Sequence, residues 1–343
     1  MRLTRRGRVA TALGILALVA LAIAVPGYLY LKSVGLVGSS DLGEPVQVVV
    51  PDGANASKIG ELLEDKGVIP SALGFRLAMF MDGGDAQIQA GKYTLSKGLT
   101  PRDALAQLEK GPEIEFVSIT FPEGSWIVDF AATLDQETHI KGKDFIEAAT
   151  SGEIRSEYQP DDTDTLEGLL FPSTYQIVET DTAESVVQRL VDEMEKKTAE
   201  VGFEQAERTG VSPYEALIVA SMIENEAALD EERPKIARVI YNRLNQGMML
   251  GIDATVLYAI GEHKESLTEA DLAVDSPYNT RLVTGLPPTP IGAPGLASLE
   301  AAVQPADGDW LYYVLADCEG HHAFSEGYDE FLQNKATYQE LVC

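Results

Sequence analysis

The sequence predicts an α+β protein carried on a single N-terminal transmembrane helix, with small β–α units followed by a mostly helical half. Three observations support that expectation. They are one uncharged apolar run near the N-terminus, a strand–turn–helix pattern that occurs twice, and helical apolar periodicity after residue 180.

The apolar run extends from Val9 to Leu31, 23 residues without a charge. At 1.5 Å per residue it spans about 34 Å of helix, enough for a hydrocarbon core of about 30 Å. Arg2, Arg5, Arg6 and Arg8 precede it and Lys32 follows it, so the positive-inside bias places the N-terminus in the cytoplasm and the remainder outside, a single-pass type II arrangement. Ala22-Ile23-Ala24 also suits signal-peptide cleavage, although the run exceeds a usual signal core. Residues 33 onward carry 21 basic and all 54 acidic side chains, a net of −33 within a total of −28. Such acidity opposes approach to phosphate backbones, so nucleic acid is excluded as a partner. Cys318 and Cys343, the only cysteines, fall in the exported part, where they either pair or stay free.

Gly35 to Gly43 reads as a Gly/Ser linker. Residues 48–69 then align without gaps over 119–140: Pro51 with Pro122, Gly53 with Gly124, Ile59 with Phe130, Leu63 with Leu134 and Ile69 with Ile140. Each copy has a β-branched strand, a Pro-acid-Gly turn and a helix with apolar residues four apart, the pattern of a duplicated β–α unit. Between the copies lie a helix at 71–81, a strand at 91–95, and a helix capped by Thr100 with Pro101 in its first position. Ser156 to Thr165 is polar and acidic and reads as a solvated linker. Helices follow at 182–199, 213–228 and 233–246, with a strand at 310–316.

The helix from Pro213 starts with a capping box, Ser212 to Glu215, and is apolar or small on every side from Ala216 to Ile223. Glu224 and Glu226 stand at the end of that buried stretch. Either they mark the helix surfacing into water, or an apolar wall raises one of them into the range of a proton donor. Glu224 shares a face with Leu217, Ala220 and Ser221, small neighbours that leave room for an approaching group.

SMIENEA, ARVIYNRLNQGMMLGIDATVLYAIG, SPYNTRLVTGLPPTPIGAPGLASLEAAVQP, LYYVLADCEGHHAFS and TLEGLLFPSTYQI, together with the N-terminal span, resemble the YceG-like, or MltG-type, endolytic murein transglycosylases. The resemblance runs from Val9 to about Phe331. It implies a LysM-like module at 44–112, a second β–α repeat unit and connection at 113–155, and a mostly helical, lysozyme-like catalytic domain at 166–343, after a cytoplasmic tail at 1–8 and a transmembrane helix at 9–31. It also implies that Glu224 is the general acid/base and that Asp253, Tyr278, Asn279, Thr280, Pro287 and His322 contact the glycan. Read from the residues alone, Asp253 serves equally well as a helix N-cap, and the Pro-rich loop as a rigid turn. Asn242, Arg243 and Ser325 also fall on family positions. The family commonly has Pro where Ala254 stands and Gly where Thr289 stands.

The implied partners are peptidoglycan strands, the cytoplasmic membrane and cell-wall synthases, with no cofactor or metal. Only four histidines occur, none in an HExxH pattern, which disfavours a metallohydrolase. The alternative reading is a non-catalytic peptidoglycan-binding scaffold of the wall-synthesis machinery.

Overall fold

The computed structural model describes residues 5–40, 42–83, 88–113, 115–264 and 266–341. It divides into two compact units, Met1–Glu115 and Phe116–Cys343.

The first unit begins with α1 (Arg5–Ser33). Its Ile15–Ser33 stretch has a mean hydropathy of 2.0 and none of it is buried, so by length and composition it is able to cross a membrane. There follow β1 (Pro45–Val50), α2 (Ala56–Asp65), α3 (Ala72–Met81), β2 (Gly91–Ser96) and α4 (Pro101–Leu108). The strands pair antiparallel with Val48 opposite Tyr93, and Val48, Leu63, Phe75, Tyr93 and Leu108 close a small core. Thr100 caps α4 by accepting from Asp103 N at 3.2 Å, with Pro101 in the first turn as the sequence predicts.

The segment expected as a free Gly/Ser linker is instead folded back onto this unit. Val34 is buried, and a Cβ on Gly74 would lie 2.0 Å from the Val34 carbonyl oxygen. The Ser40 hydroxyl accepts from Thr100 N at 3.1 Å and donates to Asp103 at 2.5 Å, and Gly43 N donates to the Lys97 carbonyl. Composition suggested flexibility, whereas tertiary contact uses the glycines for close approach.

The second unit contains β3 (Phe116–Thr120), α5 (Ile127–Glu137), α6 (Gly142–Thr150), β4 (Thr174–Val178), α7 (Ala183–Glu200), α8 (Pro213–Glu226), α9 (Arg233–Asn245), α10 (Asp253–Ile260), α11 (Glu269–Leu272), α12 (Leu296–Val303), β5 (Tyr312–Leu315), β6 (His322–Ser325) and α13 (Tyr328–Gln339). β3 pairs antiparallel with β4, and β5 with β6. A single core that includes Phe130, Phe145, Leu190, Ile223 and Leu299 joins the second β–α copy to the helical half.

Both copies of the repeat have strand, turn and helix, with Gly53 (φ +66°) and Gly124 (φ +77°) in the left-handed conformation the turn needs. Ile59, Leu63 and Ile69 are buried in one copy and Phe130, Leu134 and Ile140 in the other. The stretch 156–165, expected as solvated linker, is a turn within the second unit. Ser156 and Gln159 are buried, and Gln159 Nε2 donates to the carbonyls of Thr163 and Thr165. Cys318 is disulfide-bonded; Cys343 lies outside the described residues.

The close contact at Gly74 generates a prediction. Gly74→Leu has no room against the Val34 carbonyl, so it releases residues 35–43 from the first unit. Limited digestion of the full-length protein in micelles with proteinase K is then expected to nick this segment several-fold faster than in wild type, while unchanged protection counts against the docking.

Candidate active site

The site is organised by the end of α8. Ser212 Oγ accepts from Glu215 N at 3.2 Å while the Glu215 carboxylate accepts from Ser212 N at 2.7 Å, so the capping box fixes where the helix starts. Ala216 to Ile223 are all buried. Ser221 Oγ accepts from Ile291 N at 3.0 Å, which ties the Pro-rich loop to the helix. Residues two apart on an α-helix point about 200° apart, so Glu224 and Glu226 face opposite sides.

Glu224 turns towards α9 and α12. Its Oε1 accepts from Arg233 Nη1 at 3.1 Å and its Oε2 from Gly295 N at 2.8 Å. Arg233 also donates to Ser298 Oγ at 2.5 Å and to Asp230 at 2.9 Å. The Arg233 and Glu224 side chains are only 9% and 6% exposed, which makes this a buried ion pair. The turn of the second β–α copy packs on the same spot. A Cβ on Gly124 would lie 3.9 Å from Glu224 Cγ, and one on Gly295 would lie 1.9 Å from a Glu123 carboxylate oxygen. Only glycine at 295 leaves room for Glu123, whose carboxyl is raised above its ordinary range by burial and by the Glu224 charge.

Glu226 faces the β5–β6 hairpin. Its Oε2 accepts from the Tyr313 hydroxyl at 2.8 Å, and it makes no other side-chain hydrogen bond among the described residues. Burial pushes its carboxyl up to about 7, with Asp253 adding to the shift and Tyr313, Arg281 and Arg243 opposing it. It lines a cavity of about 550 Å³ together with Arg243, Asp253, Arg281, Tyr312 and His322, a size within the usual range for ligand sites.

Of the residues expected at the glycan, Asp253 and His322 line this cavity. Asp253 is not the cap of α10: Ile252 occupies that position, and the Asp253 carboxylate instead accepts from Arg281 Nε at 2.7 Å and Nη2 at 2.5 Å. His322 Nδ1 lies 2.6 Å from Glu232, and its ring meets Tyr313 edge-on. Asn279 and Thr280 are buried scaffold. Asn279 Nδ2 donates to the carbonyls of Leu272 and Val274, and Thr280 Oγ1 accepts from Ile252 N at 3.0 Å. Together they hold Arg281 where it reaches Asp253. The Tyr278 hydroxyl bonds Thr289, and Pro287 lines a separate cavity beside Tyr214 and Tyr241.

Glu226, Tyr313 and Arg281 are the residues that sequence reasoning passed over. The two-residue spacing of the acids was visible. What sequence does not reveal is which helix face meets a hairpin some 90 residues away.

The model of the YceG-like family matches residues 48–337 of this chain. The chain belongs to the YceG-like family. An endolytic murein transglycosylase of Bacillus subtilis is 33% identical over 325 residues, covering 91% of this chain and 89% of its own. One of Streptococcus pneumoniae R6 is 30% identical, with 91% of this chain matched to 62% of the longer relative. The crystal structure of a yceG-like protein from Listeria monocytogenes superposes with a TM-score of 0.57 at 31% identity, covering 84% of this chain and 99% of that one.

Arg233→Ala leaves the Glu224 carboxylate buried without its cation, and urea denaturation is expected to show a loss of about 3 kcal/mol or more; a loss under about 1 kcal/mol would contradict the buried pair. Glu167, which accepts from Ile127 N and the Tyr258 hydroxyl, is pushed up to about 7 by burial, as is Glu226. Carboxyls raised in the folded state stabilise it fully below their ordinary value near 4.5 and lose that contribution as pH rises through about 7. Stability is therefore expected to fall between about pH 5 and 7.5, with a shallower fall in Glu167→Gln; an identical slope in that variant would contradict the assignment.

Proposed function

We propose that this chain is a membrane-anchored endolytic murein transglycosylase in which Glu226 is the general acid/base. It cuts the β-1,4 bond between N-acetylmuramic acid and N-acetylglucosamine within glycan strands. The observation that carries the choice of acid is the Glu226 carboxyl on the wall of a 550 Å³ cavity, at about 7. At pH 7 such a group is about half protonated, against roughly 0.3% for a carboxyl at 4.5.

Sequence reasoning names Glu224 for this task, and the geometry favours its neighbour. Both Glu224 oxygens accept N–H hydrogen bonds, so neither carries a proton towards a sugar oxygen without breaking one. Glu224 acts instead as a positioning residue: with Arg233 it anchors the end of α8 to Gly295, and so aims Glu226 at the hairpin.

In the reaction, Glu226 protonates the leaving glycosidic oxygen. The muramyl 6-hydroxyl attacks C1, and its proton passes to the Glu226 carboxylate. The products are a 1,6-anhydromuramyl end and a free N-acetylglucosamine hydroxyl, with no water consumed. The nucleophile belongs to the substrate and is already held close, so a second carboxylate is not required. Tyr313, donating to Oε2, orients the carboxyl so that its other oxygen faces the cavity.

Within the same reading, residues 9–31 anchor the chain with the C-terminal part outside the membrane, and 44–112 serve as a LysM-like glycan-holding module. The lysozyme-like helical part at 166–343 works with the 113–155 unit, whose turn touches Glu224. Asp253 and His322 contact the sugar, Tyr278, Asn279, Thr280 and Pro287 shape the loop that presents Arg281, and cell-wall synthases supply the nascent strands that the enzyme terminates.

Glu226→Gln is expected to lower cleavage of purified glycan strands about 10²–10⁴-fold without changing the fold, and wild-type products to carry anhydro ends, lighter by one water than hydrolysis products. In Glu224→Gln, a loss of stability is expected to accompany any loss of rate. Full activity in Glu226→Gln beside a well-folded but inactive Glu224→Gln would return the catalytic role to Glu224. Reducing ends in the products would make the reaction hydrolysis.

A further inference from the structure

The cavity beside Glu226 has a charge at odds with the rest of the chain. The protein carries a net charge of −28, yet Arg243, Arg281 and Lys335 all line this one cavity. Asp253 neutralises Arg281. Arg243 directs Nε to the Leu311 carbonyl and lies with its guanidinium 5.3 Å from the Tyr312 ring centre, and no carboxylate pairs with it among the described residues. Lys335 is exposed on α13 and likewise has no acidic partner among them. The wall therefore holds two cations with no carboxylate in salt-bridge contact among the described residues, Arg243 meeting only the longer-range charge of Glu226, in a protein with a large excess of acid.

A glycan backbone gives no reason for this. Its hydroxyls and acetamides are neutral, and the Tyr312, Tyr328 and Phe331 rings around the same cavity already offer sugar-stacking faces. The charge of murein lies on the peptide stem, joined through the lactyl group of each muramic acid beside the bond that is cut. The stem carries free carboxylates at the end of a flexible chain. An ammonium group on an exposed, four-carbon stalk is suited to meet such a mobile anion, while the fixed Arg243 adds field without moving.

We propose that Lys335, backed by Arg243, receives a free carboxylate of the peptide stem, so that the enzyme is selective for peptide-bearing over denuded strands. This rests on the murein transglycosylase reading above and goes beyond it by assigning α13 a part in substrate choice. Lys335 is then a specificity residue that touches the stem, not the reacting atoms.

The test reads binding, so it does not depend on turnover. Full-length Glu226→Gln protein in micelles is titrated with a disaccharide–peptide fragment whose stem carboxylates are free, with the same fragment amidated, and with a peptide-free disaccharide carrying a phosphate. Amidation is expected to weaken binding about tenfold. Adding Lys335→Gln brings free and amidated fragments to within about twofold, and Lys335→Arg restores the difference. Equal affinity for free and amidated fragments overturns the proposal, as does discrimination that survives Lys335→Gln. Tighter binding of the phosphorylated, peptide-free disaccharide than of the peptide-bearing fragment overturns the assignment to a carboxylate. Should wild-type protein fail to cleave glycan, the function reading falls, while these titrations still decide whether Lys335 reads the stem.

Discussion

Everything at the site depends on the pitch of one helix. α8 ends with two acids a single residue apart, and the α-helical rotation sends them to opposite sides. Glu224 is drawn into a buried pair with Arg233 and a backbone hydrogen bond from Gly295. That fixes the rotation of the last turn and leaves Glu226 only one direction to face, the cavity under the β5–β6 hairpin. The same motif thus places one carboxylate in a buried ion pair and the other on the cavity wall, where burial raises it. Environment, not residue type, separates them.

The duplicated β–α unit takes part in this division. In its first copy the Pro-acid-Gly turn belongs to the small N-terminal unit, whereas in the second the Pro122-Glu123-Gly124 turn packs against Glu224 and Gly295. Gly124 N donates to the Ala293 carbonyl and Ala293 N to that of Ser125, so the turn and the Pro-rich loop brace each other. A repeated structural element has thereby become one wall around the buried Glu224–Arg233 pair.

Much of the fold was legible because it rests on local chemistry. The capping box at Ser212, Pro101 after Thr100, the helix from Thr182 and the apolar positions shared by the two repeat copies all stand where periodicity and turn residues put them. What escaped was tertiary. The pairing of β3 with β4 joins residues more than 50 positions apart, and the docking of Val34 depends on Gly74, which no property of the linker itself discloses. At the site, the resemblance named Glu224 within the E-x-E pair, and nothing in the sequence discloses that it is Glu226 that faces the hairpin. The resemblance puts Asn279 and Thr280 at the glycan; in the fold both are buried, and Asn279 Oδ1 accepts from Arg281 N, contacts that no sequence pattern discloses.

The central claim is that the fold places a neutral-range proton on Glu226, and carboxyl-carbon NMR of ¹³C-glutamate-labelled full-length protein tests it most directly. The Glu226 resonance is assigned by its disappearance in Glu226→Gln and followed from pH 4 to 9. A midpoint close to 7 is the predicted result. A Glu226 carboxyl that titrates near 4.5, like an ordinary exposed glutamate, would contradict the account.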